Sequence, residues 1–189
     1  GFNQKIDRLN FPAALQSLHL CGNFNQSLDA VALPRGLQSL SFGYKFNYSL
    51  DLVTLPAGLQ SLTFGHDFNQ SLDAVMLPPA LQSLTLGSNF NQRLDGVSFP
   101  PGLEHLILGM NFNQSLHGVT LPGSLQHLGF GLMFNQSFDG MTLPTALESL
   151  TFGDFFSQKL DGVPSSLRNL TLGSHFDPSN GVTLPPGLR

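Results

Sequence analysis

The sequence predicts a mainly β solenoid, and three observations carry that prediction. Phenylalanine returns every 22 residues, at Phe2, Phe24, Phe46, Phe68, Phe90, Phe112, Phe134 and Phe156, and Phe176 follows 20 residues later because one unit has lost two positions. Self-similarity at such a period marks stacked repeats, each covered on its apolar sides only by its neighbours. Two patterns of the form Leu-x-x-Val/Leu-x-Leu/Phe follow each phenylalanine, and their final one-residue alternation is that of a strand with one face buried. Proline stands in mid-unit, as at Pro34, Pro56, Pro78 and Pro122, with glycine usually closing the second pattern, which leaves little or no room for helix. Residues 1–189 therefore read as a single array of about eight and a half coils with two short strands in each.

Taken in order, the parts of a coil follow from their residues. Phenylalanine opens it, and the column from Phe2 to Phe176 is expected to stack inside the solenoid, each ring contributing roughly 1.5–3 kcal/mol by burial. The next residue is Asn3, Asn25, Asn47, Asn69, Asn91, Asn113 or Asn135, replaced by Ser157 and Asp177 in the last two coils. Asparagine in column bonds turn backbone and a neighbouring amide, tying coil to coil. Leu50, Val53 and Leu55 then represent the first predicted strand, Pro56 the break, and Leu59, Leu62 and Phe64 the second strand. Gly43, Gly65, Gly87, Gly109, Gly131, Gly153 and Gly173 close the coil at a corner expected to be left-handed, with Cys21 in that column of the first coil. Strand spacing of ~4.8 Å per coil predicts a rod or shallow arc roughly 40 Å long.

Composition removes several function classes. Charged residues make up 11% of the chain and the formal net charge is −4, so no basic stripe exists to neutralise phosphates and nucleic-acid binding is not expected. No apolar run approaches the ~20 residues of a membrane span. The single cysteine, Cys21, excludes an internal disulfide and leaves the compartment open. Nothing at the start resembles a targeting peptide, and a chain beginning at Gly1 reads as a mature product or an excised fragment.

The string Leu-Pro-x-x-Leu-x-x-Leu-x-Phe-Gly-x-x-Phe-Asn, seen from Leu55 to Asn69 and again from Leu143, resembles the FNIP repeat, a 22-residue relative of leucine-rich repeats. Gln-Ser-Leu here follows Phe-Asn where Ile-Pro or Pro-Leu is usual, and the asparagine of ordinary leucine-rich repeats would fall at Lys45, Asp67 or Met133. The resemblance implies a leucine-rich-repeat-like, parallel-β solenoid that serves as a protein-interaction or scaffold module. It supplies no catalytic or cofactor residue.

Candidate sites lie where the units disagree, because positions fixed by packing should be uniform. The pair after each corner glycine varies most and is unexpectedly apolar at Tyr44, Met110, Leu132, Met133 and Phe155, the last four on successive coils as a predicted partner surface. The outward strand positions, mostly Ser and Thr as in Ser61/Thr63, become His105/Ile107 and His127/Gly129 in two adjacent coils. Two neighbouring histidines could hold a metal or sense pH, but with only Glu104 beside them surface variation is favoured and no metal or cofactor is expected. The Ser/Thr rows themselves offer an alternative function, adsorption to ice by a regular hydroxyl lattice. Asp7, Asp29, Asp51, Asp73, Asp95, Asp139 and Asp161 form a column broken by His117, expected to accept turn amides rather than to bind cations. Six sequons, at Asn25, Asn47, Asn69, Asn113, Asn135 and Asn169, read as by-products of the repeat. No nucleophile, base and orienter recur together, so a non-enzymatic protein is expected, with a protein partner or further chain covering the coil ends.

Overall fold

Each coil contributes one short strand to a single parallel sheet. The computed structural model describes residues 1–177 other than 139 and 161, together with residues 179 and 188. Its strands are β1 (Ser17–Leu20), β2 (Ser39–Phe42), β3 (Ser61–Thr63), β4 (Ser83–Thr85), β5 (His105–Ile107), β6 (His127–Gly129), β7 (Ser149–Thr151) and β8 (Asn169–Thr171). They pair in chain order, each residue beside its equivalent in the next coil: Leu40 beside Leu62, His105 beside His127, and Ser149 beside Asn169 across the shortened unit. No α-helix occurs among the described residues. The ninth coil, from Phe176, runs largely into residues outside the described set.

The second apolar pattern forms the strand as expected; the first does not. Leu50, Val53 and Leu55 are buried, at 1%, 7% and 8% exposure, but belong to no sheet. Turns take the donors on either side of the break: Val53 N–H donates to the Leu50 carbonyl at 2.9 Å, Leu59 N–H to the Pro56 carbonyl at 3.0 Å, and proline has no N–H to give.

Geometry supplies the deeper reason. The stacked imidazoles of His105 and His127 on the outer face of the sheet lie 4.4 Å apart. Phe42 and Phe64, on its inner side, are 5.4 Å apart, and the phenylalanine column opens to 6.1 Å between Phe68 and Phe90 and 6.2 Å between Phe90 and Phe112. A backbone ladder needs about 4.8 Å. The coils are wedges, splayed on the phenylalanine side, so the array is an arc with the sheet on its concave face.

Asparagine bridges the widened gap. Asn91 N–H donates to Asn69 Oδ1 at 2.9 Å, Asn113 N–H to Asn91 Oδ1 at 2.9 Å, and Gln114 Nε2 to the same Asn91 oxygen at 3.1 Å. A side-chain carbonyl thus reaches where a main-chain carbonyl would fall short, and Ser157 N–H still donates to Asn135 Oδ1 at 2.9 Å. Only the amide oxygen is needed for this bond, and Asn47 and Asn113 remain exposed.

The column phenylalanines from Phe24 to Phe156, one per coil, are fully buried, with Phe2 half exposed at one end of the column. The corner glycines have a different cause from the one their position suggested. Positive φ among the described residues occurs at Gly22, Gly118, Gly140 and Gly162, and at none of the seven corner glycines. A β-carbon on Gly109 would instead sit 1.8 Å from the Gly87 carbonyl oxygen, and one on Gly65 would sit 1.9 Å from that of Gly43. Close stacking of corner on corner, rather than handedness, demands glycine. Cys21, whose coil is packed on one side only, is exposed.

The aspartate column also works the other way round. Asp29 N–H donates to Ser27 Oγ at 3.0 Å and Asp51 N–H to Ser49 Oγ at 3.1 Å. His117 N–H makes the same bond to Ser115 at 3.2 Å, so the bond needs the serine hydroxyl and not the carboxylate, and where Arg93 replaces the serine the Asp95 carboxylate accepts from that guanidinium instead. Asp139 and Asp161 lie outside the described residues.

Candidate functional site

The pair after each corner glycine forms a rim along one side of the arc. Its backbone continues the coil-to-coil ladder: Met133 N–H donates to the Met110 carbonyl at 2.9 Å and Phe155 N–H to the Leu132 carbonyl at 3.2 Å. The space inside is already filled by Phe130, Phe134, Phe152 and Phe156, all buried. Side chains of the pair are therefore turned out to solvent. Met110, Met133 and Phe155 are 50%, 42% and 43% exposed. Leu132 is half-buried and does not join the core cluster. These four large apolar side chains stand on three consecutive coils of the rim.

Tyr44 belongs to a separate part of this rim. Its ring, 51% exposed, stacks on His66 at 4.3 Å, and Lys45 Nζ lies 5.0 Å from the ring centre. Lys45 Nζ meets Asp67 Oδ2 at 2.9 Å while His66 Nδ1 meets Oδ1 at 2.7 Å. Hydrogen bonds from His66 and then Lys45 hold the Asp67 carboxyl below the usual carboxylate range. The rim thus changes character from polar and charged at β2–β3, through Ser88 and Asn89, to mainly apolar from Met110 to Phe155, with the exposed polar Asp154, Ser174 and His175 at its far end.

His105, Ile107 and His127 lie on the concave face. Their imidazoles are parallel within 6°. Nitrogen lone pairs lie in the ring planes, so two rings stacked face to face cannot aim at one ion between them. Among the described residues no group of three or more His, Cys, Asp or Glu side chains gathers as a metal site. Burial first, then the charge of His127, pushes the His105 imidazole below its ordinary value, with Glu104 opposing. Gly129 removes one side chain from the outward row and is buried, with Ile107 Cδ1 2.9 Å from where its β-carbon would stand, and a hollow of about 320 Å³ beside it is bounded by His105, Ile107, His127, Ser149 and Thr151.

One exposed apolar pair escaped the reading of the sequence. Leu52 and Met76 are 76% and 86% exposed and flank a groove between adjacent coils on the side away from the rim. The same comparison of columns reveals them: Leu52 stands where other coils have Ala30, Ala74, Gly96 and Gly118, and Met76 where they have Ala32, Thr54, Ser98 and Thr120.

A one-strand-per-coil, 22-residue parallel stack with an asparagine ladder defines a solenoid of the leucine-rich-repeat type. The profile of the FNIP Repeat family matches four consecutive segments, residues 2–45, 46–89, 90–133 and 134–175, and the chain belongs to that family. Among solved structures it is similar to CroV588, described as a novel circular LRR protein, with 38% identity and a TM-score of 0.88 over 99% of this chain. The chain spans 28% of the length of that protein. No curated protein matches it. No helix among the described residues is long and apolar enough to cross a membrane.

Proposed function

We propose that the chain is a non-enzymatic interaction scaffold whose principal contact surface is the rim ridge of Met110, Leu132, Met133 and Phe155. The observation that carries this reading is the exposure of these side chains beside a core with no vacancy for them. Exposed apolar side chains in contiguous groups mark partner surfaces more often than isolated ones do. Among the described residues no polar or charged side chain is fully buried. The outer edge of β1 and the half-exposed ring of Phe2 form a second surface, suited to further coils of the same kind or to a partner that caps them. The curvature of the arc fits either use.

Ice adsorption receives less support. The Ser/Thr rows are interrupted at His105/Ile107 and His127/Gly129, and a concave sheet does not present a flat lattice. Replacing Leu132 and Met133 together by aspartate tests the ridge. Partner capture should be lost with the thermal midpoint within a few degrees of the parent. A large fall in the midpoint would put these side chains in the core and remove the surface.

A further inference from the structure

A larger groove lies on the other side of Leu52, between the second and third coils. It holds about 730 Å³ and runs from Asp29 to Arg35 along one coil and past Leu52, Thr54 and Gly58 on the next. The space is open: a β-carbon on Gly58 would meet no atom within 4 Å, and Ala30, Ala32 and Ala57 on the walls are exposed. Two departures from the repeat bound it. Leu52 is the only large apolar residue in its column, and Arg35 is the only charged residue in its own, where other coils have Ala13, Ala57, Pro79, Pro101 or Gly123. No main-chain ladder crosses the groove, and among the described residues the N–H and C=O groups of Ala32, Leu33 and Thr54 take part in no backbone hydrogen bond. Charge differs from end to end. Asp29 stands in register with Asp7 and Asp51 on the flanking coils, with Arg8 the one cation close by in the chain, while the far end carries Arg35. Among the described residues neither Asp29 nor Arg35 takes part in an ion pair.

We propose that this groove binds an extended peptide segment of a protein partner, apolar in the middle, with a basic side chain at the Asp29 end and an acidic one at the Arg35 end. Its apolar side chains pack against Leu52 and over Ala32, Ala57 and Gly58. Its main chain bonds the unpaired N–H and C=O groups of the walls, as peptides do when they add to an incomplete ladder. Complementary charges at the two ends fix its register and direction of approach. Asp29 and Arg35 bracket one extended pass of the coil, which sets the two charges of the peptide about five residues apart. An anionic membrane surface fits poorly, because it would meet the carboxylates of Asp7, Asp29 and Asp51 in a row. The groove lies away from the rim ridge and Met76 lies outside it, beyond Leu52, so each surface stands or falls by its own test.

A displayed random peptide library, selected on the protein and counter-selected on its Leu52→Asp variant, tests the assignment. Leu52 is 76% exposed, so the variant should keep the parent's fold. Surviving peptides should share an apolar centre between a basic and an acidic residue about five positions apart. The same selection on Arg35→Glu should put a basic residue where the acidic one stood. A surviving peptide, titrated by fluorescence anisotropy, should bind Gly58→Phe about tenfold more weakly than the parent. Ala80, Ser124 and Ala146 occupy the same column as Gly58, so the position accepts a side chain and the denaturation midpoint should hold. An empty selection, survivors without the paired charges, or an unchanged selection on Arg35→Glu would each overturn the proposal. A dimer seen by sedimentation and dissolved by Leu52→Asp would also overturn it, by giving the groove to a second copy of the chain.

Discussion

A β-carbon is the smallest addition chemistry allows, and at the corner of each coil it is already too large. On Gly109 it would lie 1.8 Å from a backbone oxygen of the preceding coil, whereas on Gly123 no atom comes within 4 Å. Backbone cannot step aside as a flexible side chain can, so Gly109→Ala should cost roughly 3 kcal/mol, toward the upper end of overpacking effects. Gly123→Ala should fall within about 1 kcal/mol of the parent, on the stabilising side, by restricting the unfolded chain. Chemical denaturation of both variants checks the pair. The glycine column was legible in the sequence as a constraint, but its cause was not. Sequence shows that glycine recurs; only the distance between Gly109 and Gly87 separates close approach from left-handed backbone.

The wedge shape of the coil settles which segments become strands. Both Leu-x-x-Val/Leu-x-Leu/Phe patterns read alike, and Leu50, Val53 and Leu55 are as buried as their pattern demands. Spacing decides the difference: a ladder forms on the narrow side, while on the wide side turns and the asparagine side chains take up the hydrogen bonds. One sequence has no way to declare that its two faces repeat at different intervals. The phenylalanine column holds the wide side together. Phe90, fully buried between Phe68 and Phe112, should cost about 3–5 kcal/mol when replaced by alanine. Phe2, 52% exposed, should cost less than about 1 kcal/mol, because its ring is stacked on one side only. Denaturation midpoints of the two variants provide the comparison.

Across the whole molecule, regular and irregular positions divide the labour. Phenylalanine, asparagine, leucine and corner glycine recur because each coil must fit the next. Departures from the repeat gather on three surfaces: the rim ridge, the concave hollow, and the Leu52/Met76 groove. Comparison of units singled out the first two in the sequence and set Tyr44 apart from the ridge, but it could not foresee the Tyr44–His66 stack and the Lys45–Asp67 pair that make Tyr44 part of a polar cluster. Methionine makes the ridge measurable, since Met110 and Met133 lie on it while Met76, 86% exposed, lies in the groove on the other side. Oxidative footprinting of the chain with and without its co-purified partner reads all three side chains in one sample. The partner should slow oxidation of Met110 and Met133 and leave Met76 at its free rate; protection of Met76 with Met110 and Met133 unchanged would contradict a contact surface on the ridge.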